Sequence, residues 1–280
     1  MLTNMPIDKP TLAKLNKFAD AFKAARERNA NESDTVMILI KFFDEVLGYN
    51  PLSGEITKEI PIKERFCDFA IVLDRKNAER KPEFLVEAKA AGVKSLSEKH
   101  IEQAYNYASR APVNWVLLTN GLEWHLYHLT FDEKSGITPE RVFEIHYLED
   151  LEARPDFVWD RLSVLTKTNV FANGLEAYYE LTQLLSPKTI VSTLLGEEVL
   201  RKIRQELDRQ GSARLELQAV FDAVVQVLNS GAVAAAGDIT APTKKRRRRR
   251  TGESKQPEAE ASAEPIQAQT QPAAEEETPT

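Results

Sequence analysis

An apolar run that contains two charged residues, Phe84–Ala90, constrains the fold more than any other segment. Its first residues are typical of an interior β-strand, and side chains two residues apart on a strand share one face. Glu87 and Lys89 therefore point to one side, while Val86 and Ala88 point to the other. Charges on an interior strand are costly unless they are paired. The run thus predicts a buried strand with polar groups gathered on one face.

The segments around this run alternate between helical and strand-like patterns. Spacing and turn signals predict helices over 10–29, 33–47 and 95–110, and strands over 56–62, 66–73, 83–88, 113–119 and 122–129. Asn120-Gly121 is typical of a tight turn, and the charged stretch 74–82 predicts another. We therefore expect an α/β fold from about residue 30 to 150, with helices packed on a mixed sheet.

The rest of the chain predicts a small helical region and a disordered tail. One apolar stripe joins Leu194, Leu195, Val199, Ile203 and Leu207, and another joins Leu217, Val220, Phe221, Val224 and Leu228. The tail holds a basic run, 244–250, followed by Glu, Pro, Gln, Ala and Thr with almost no large apolar residue. We expect three parts: 1–155, 156–230 as a helical domain, and 231–280 as the tail.

Composition limits the class of protein. No run of 18 apolar residues occurs, and the first residues lack a basic and apolar leader, so we expect no membrane association and a cytoplasmic location. The single cysteine, Cys67, fits a reducing compartment, with a small apolar core residue as its simplest role. Of 37 basic and 43 acidic residues, 244–280 hold 8 and 7, which leaves 29 and 36 elsewhere. This acidic remainder argues against a DNA-binding body.

Asp68 lies in the predicted strand next to the Glu87 strand, and the three charges form the pattern Asp-x18-Glu-x-Lys. Gln103 and Tyr107 are four residues apart, so they share one face of the next predicted helix. In an arbitrary protein, a solvated strand face would be the better explanation of Glu87 and Lys89, and a position near a turn that of Asp68. Here the apolar flanks favour a site. The four histidines show no zinc pattern and are interpreted as ordinary surface or core residues.

Five short segments occur in an order that resembles the N-terminal nuclease domain of the R (restriction) subunit of type I restriction enzymes, within the PD-(D/E)xK superfamily. They are Leu47–Tyr49, Cys67–Ala70, Val86–Ala90, Gln103–Tyr107 and Thr119–Trp124. The resemblance covers about residues 30 to 130 and implies a restriction-endonuclease-like mixed sheet flanked by helices. No Gly-x4-Gly-Lys-Ser/Thr motif occurs, so the P-loop of the translocating motor is missing.

The resemblance implies that Asp68, Glu87 and the backbone carbonyl of Ala88 bind Mg²⁺, which prefers oxygen ligands. Lys89 then orients water or stabilises charge on the phosphate. An acidic residue on the first helix is also common in the superfamily. Glu32 is the candidate here and Glu45 the runner-up.

Gln103 and Tyr107 match the family's Gln-x3-Tyr motif, which implies that they position Lys89 or the DNA backbone. We therefore expect a Mg²⁺-dependent DNA endonuclease of restriction or defence type. The alternative is a module of the same fold that binds DNA or recruits a partner without cutting. A third reading, a purely structural interaction protein, requires Asp68 and Glu87 to diverge in space.

Expected partners are DNA, a recognition or modification subunit encoded elsewhere, and a second copy in a homodimer. The basic run 244–250 has three interpretations: it binds phosphates, folds back on the acidic tail, or is a solvated linker.

Overall fold

The strands predicted around the charged run form one mixed sheet. The structure, a computed structural model, describes residues 6–62, 65–74, 81–97, 99–100, 102, 113–132, 136–212 and 214–228. The strands in these residues are β1 (Ile56–Ile62), β2 (Arg65–Val72), β3 (Pro82–Ala88), β4 (Trp115–Thr119), β5 (Glu123–Asp132) and β6 (Gly136–His146). They lie side by side in chain order. Only the β3–β4 pair is parallel, and the other pairs are antiparallel.

The predicted α/β class with a mixed sheet is confirmed. β6 was not predicted as a strand. The helix predicted over 95–110 falls largely on residues outside the described part of the chain, as do most of the turn predicted over 74–82 and the whole predicted tail with its basic run.

Two N-terminal helices pack on the sheet, α1 (Lys9–Glu27) and α2 (Glu32–Glu45). The Asp8 side chain begins α1 by accepting a hydrogen bond from the Thr11 amide at 2.7 Å. Asn31 begins α2 in the same way, accepting from the amide of Asp34 at 2.8 Å. These caps satisfy amides that have no partner within the helix, so both helices begin at defined residues.

Seven further helices follow β6 in the described residues. They are α3 (Tyr147–Ala153), α4 (Pro155–Ser163), α5 (Lys167–Phe171), α6 (Gly174–Leu184), α7 (Pro187–Leu194), α8 (Glu197–Gln210) and α9 (Leu217–Val227). The apolar stripe predicted from Leu194 to Leu207 is divided between α7 and α8. Leu194 is the last residue of α7 and Gly196 precedes α8 with extended backbone, so two helices carry the stripe. No helix in the described ranges is long and apolar enough to cross a membrane.

The two faces of the sheet bury different apolar clusters. One face packs against α1, α2 and helices α3 to α6, through rings that include Phe22, Phe42, Trp124 and Tyr147. A smaller cluster contains Leu85, Val116, Leu118 and other residues of β2, β3, β4 and β5. Because β3 is covered on both faces, the charges at its end lie in a largely dry environment.

The turn between β4 and β5 is formed by Asn120 and Gly121, as predicted. Gly121 has a φ of +84°, which side chains of L-residues rarely adopt, and it lies directly under the ring of Phe22. A Cβ atom at Gly121 would lie 2.2 Å from Cδ1 of that buried ring. The glycine thus lets α1 approach the turn closely.

We expect Gly121→Ala to destabilise the protein by about 2–4 kcal/mol, because it adds backbone strain to a steric clash in the core. Gly136→Ala is the matched control, since Gly136 also has a positive φ of +78° but open space around its Cα. Its cost should be about 1 kcal/mol. Urea unfolding of both variants measures the difference, and equal losses would contradict the close packing of Phe22.

Candidate active site

The pairing of β2 with β3 brings Asp68 to the end of β3. Phe69 pairs with Val86 in this antiparallel ladder, so the preceding residue of β2 lies beside Glu87 and Ala88. The Ala88 amide donates a hydrogen bond of 2.7 Å to Oδ2 of Asp68. The carboxylates of Asp68 and Glu87 therefore both lie near the C-terminal end of β3, where the charge of Asp68 helps to raise the pKa of Glu87.

Lys89 follows β3 directly and completes the charged pattern. Its ammonium donates a hydrogen bond of 2.6 Å to Oε1 of Glu87. Its backbone amide donates to the carbonyl of Thr119 at 2.8 Å, which continues the β3–β4 pairing by one residue. The main-chain hydrogen bond thus fixes the backbone position of Lys89, and the hydrogen bond to the buried Glu87 fixes the position of its ammonium group.

The first residue of α2 brings a third carboxylate to this end of the sheet. Oε2 of Glu32 lies 3.6 Å from the Lys89 ammonium, and about half of the Glu32 side chain is exposed. Glu45, the other acidic candidate, is at the opposite end of α2, where its side chain pairs with Lys17. A helix of 14 residues spans about 20 Å, so Glu45 is not brought to the site.

Thr35 joins α2 to the segment that follows Lys89. Its fully buried hydroxyl accepts a hydrogen bond of 3.0 Å from the Ala91 amide and donates one of 2.9 Å to the Asn31 carbonyl. The two bonds hold the start of α2, and with it Glu32, against the Lys89 segment. Sequence reasoning missed Thr35, because a threonine inside an amphipathic helix gives no signal of a contact 56 residues away.

Lys89 interacts with all three carboxylates. Burial raises the pKa of Glu87 to about 7, against the opposing effect of Lys89 and with added repulsion from Asp68 and Glu32. Burial also raises the pKa of Asp68. For Lys89, burial alone would lower the pKa, but the hydrogen bond to Glu87 and the three carboxylate charges outweigh it and raise it. Lys89 therefore stays protonated at neutral pH.

The excess of negative charge and the oxygen donors suit a divalent cation such as Mg²⁺. No group of three His, Cys, Asp or Glu side chains among the described residues is arranged as a complete metal cage. Mg²⁺ does not require one, because it commonly binds one or two carboxylates and retains several waters. Asp68 and Glu87 are the carboxylates that could serve in this way.

Two predicted site residues, Gln103 and Tyr107, lie outside the described part of the chain, so their roles remain predictions.

The interpretation of the histidines as ordinary surface or core residues also stays a prediction. His125 is buried, with Nε2 3.3 Å from Oε1 of Glu144, and His146 approaches the same oxygen at 3.3 Å. Burial lowers the pKa of His125.

Residues 37–140 match the family described as the type I restriction enzyme R protein N terminus (HSDR_N). The match covers somewhat more than a third of the chain and includes Asp68, Glu87 and Lys89, and Glu32 lies shortly before it. It confirms the resemblance predicted from the sequence and is consistent with the PD-(D/E)xK superfamily. Neither the curated proteins nor the solved structures include a match to this chain.

We expect Thr35→Val to destabilise the protein by about 1–3 kcal/mol, because the buried Ala91 amide loses its acceptor while the side-chain volume is kept. Thr35→Ser retains the hydroxyl and should cost less. The free energy of unfolding in urea compares the two variants. A loss in Thr35→Ser as large as in Thr35→Val would argue that the methyl group, and not the hydrogen bond, is what matters.

The raised pKa of Glu87 predicts a pH-dependent stability. Between pH 4.5 and about 7, Glu87 binds more protons in the folded protein than in the unfolded chain. The free energy of unfolding therefore falls as the pH rises through this range. The loss reaches at most about 3 kcal/mol at pH 8. Without divalent cations, Glu87→Gln should therefore lose less stability than wild type between pH 5 and pH 8. Glu45→Gln, in an exposed ion pair, is the control and should follow wild type.

Proposed function

We propose that this protein is a Mg²⁺-dependent DNA endonuclease of restriction or defence type that hydrolyses phosphodiester bonds. The observation that carries the proposal is the convergence of Asp68, Glu87 and Lys89 at the end of β3. The match of residues 37–140 to the R protein N terminus supports a restriction-type nuclease role. Several charged side chains at a buried strand end destabilise the folded state. A catalytic role gives a reason why they are retained.

Asp68 and Glu87 would hold the Mg²⁺ ion, with the Ala88 carbonyl beside them. When bound, Mg²⁺ polarises the scissile phosphate and makes a neighbouring water more acidic. The carboxylates have raised pKa values without the ion, so occupation of the site by a cation favours their ionised forms. Ligand binding and deprotonation of Glu87 are therefore coupled.

Lys89 acts as a cation in this proposal and not as a general base. Its pKa is raised, so it carries a proton at neutral pH and has no lone pair with which to accept one. The ammonium can donate hydrogen bonds to the phosphate oxygens, on which negative charge develops as water attacks. Glu87 holds it within reach of the same site at 2.6 Å.

A non-cleaving module that binds DNA or recruits a partner is the second candidate. The acidic charge of residues 1–243, with 36 acidic against 29 basic residues, favours the partner-recruiting form of this candidate, because cutting DNA and binding DNA both require contact with an anion. Cleavage measurements separate the two candidates.

We expect wild-type protein to nick plasmid DNA with Mg²⁺, and Asp68→Asn, Glu87→Gln and Lys89→Met each to lower the rate by at least about 100-fold. The substitutions nearly preserve side-chain size while removing the metal ligand or the cation. Cleavage is followed by conversion of supercoiled to open circular and linear plasmid.

Glu45→Gln and Lys17→Met are the matched controls, because they change an exposed ion pair at the far end of α2 and should cleave like wild type. The same weak nicking in all six proteins would identify a contaminating nuclease and leave the non-cleaving candidate. A melting temperature that rises with Mg²⁺ in wild type but not in Asp68→Asn would support ion binding independently of cleavage.

A further inference from the structure

We propose that a DNA strand crosses the candidate active site between two clefts, and that Lys58 on one side and Arg26 and Lys94 on the other bind its phosphates. The inference rests on the proposed function, because it takes the end of β3 as the place where DNA is cut. It adds how an acidic protein holds an anionic substrate: through a few cations placed beside the site.

The first cleft lies between α2, β1 and β2 and has a volume of about 480 Å³. Asp68 and Glu32 line the side of it that belongs to the active site, and Lys58 and Met37 line it as well. Lys58 is exposed and forms no ion pair with the described residues. Its ammonium contacts the Met37 sulfur at 4.0 Å, and none of the described carboxylates forms an ion pair with it.

The second cleft has a volume of about 160 Å³ and lies where the β4–β5 turn meets the end of α1. Arg26, in the last turn of α1, and Lys94 line it, and neither forms an ion pair within the described ranges. Two acidic residues line it too. Glu123 is engaged by the Leu96 amide at 2.9 Å, and Glu149 is in the first turn of α3, where the helix dipole favours negative charge.

Strand order places the active site between these clefts. The first cleft is built on β1 and β2, the active site ends β3, and the second cleft is reached from the β4–β5 turn and the end of β6. Because β3 and β4 are parallel, the β4–β5 turn is at the same end of the sheet as Lys89. All three features therefore open at one end of the sheet.

The span suits a short stretch of one strand. With neighbouring strands about 4.8 Å apart, the width from β1 to β6 is about 24 Å. A stacked nucleic acid strand advances about 3.4 Å per nucleotide, so this width corresponds to about seven nucleotides. Phosphates on either side of the scissile bond then come near the cations. Contacts of this kind position the strand without reading its sequence.

The test compares the salt dependence of DNA binding in full-length variants, with EDTA present so that no cleavage occurs. Each phosphate contact contributes about 0.9 to the slope of log K against log salt for duplex DNA and about 0.7 for a single strand. The triple variant Arg26→Ala/Lys58→Ala/Lys94→Ala should therefore reduce the slope by about 2–3. Any contribution of the 244–250 run is the same in every variant and cancels in the comparison.

Lys188→Ala/Lys202→Ala is the control, because both lysines are exposed, lie on α7 and α8, and form no ion pair with described residues. Its slope should equal that of wild type. Mass spectrometry after brief acetylation gives a second, position-specific measurement. Bound DNA should slow the acetylation of Lys58 and Lys94 but not that of Lys188 and Lys202.

The outcomes separate this inference from the proposed function. A wild-type slope in the triple variant, with Lys58 and Lys94 acetylated equally fast with and without DNA, overturns the strand path even if the protein cleaves DNA. Protection of both lysines in a protein that never cleaves supports the path and overturns the endonuclease. A full-length protein that binds no DNA overturns both.

Discussion

One antiparallel pairing, that of β2 with β3, determines where the chemistry of this protein lies. It brings a carboxylate of one strand beside the end of the next, and the hydrogen bond from the Ala88 amide to Asp68 joins the two directly. A shift of the pairing by one residue would turn Asp68 toward the opposite face of the sheet and separate it from Glu87. The apolar residues of both strands resist such a shift, because it would carry them out of the core.

The candidate site is also the place where buried charged groups oppose folding. Three carboxylates surround one ammonium, and Glu87 is almost completely buried. In most of the sheet, by contrast, interior positions carry Phe, Leu, Val and Trp. The unfavourable charges are confined to one end of β3, where a ligand of positive charge can offset them. Thr35 and the cap of α2 then serve to hold that end of the molecule in place.

Local patterns were sufficient to predict the elements that form the site. Apolar runs marked β2, β3 and β4, and Asn120-Gly121 marked the turn to β5. β6 escaped prediction because it carries Pro139 and many exposed polar residues, while its regularity comes from pairing with β5. Glu32 was a candidate because the resemblance implies an acidic residue on an early helix, but its approach to Lys89 depends on how α2 packs, which spacing along the chain does not encode.

The tight contacts of the molecule show the same difference between what local sequence patterns predict and what they do not. Gly121 was expected at a turn, yet the reason that only glycine fits includes the ring of Phe22, nearly 100 residues earlier in the chain. Likewise, the apolar stripe from Leu194 to Leu207 continues across the break between α7 and α8, and periodicity alone does not locate that break. Contacts between distant segments were thus the part that the sequence did not reveal.

The helices after β6 share the core of the sheet. The Tyr49 hydroxyl donates a hydrogen bond of 2.8 Å to the Leu165 carbonyl, and the Lys167 amide donates to the Leu47 carbonyl at 2.9 Å. Leu162, Leu165, Val170 and Leu175 are buried in the same cluster as the sheet residues. Genetic exchange that moved the sheet into another polypeptide without these helices would therefore leave the Tyr49 hydroxyl without its acceptor. It would also expose the apolar residues of the sheet that the helices cover. The smallest transferable unit of this architecture extends at least to α6.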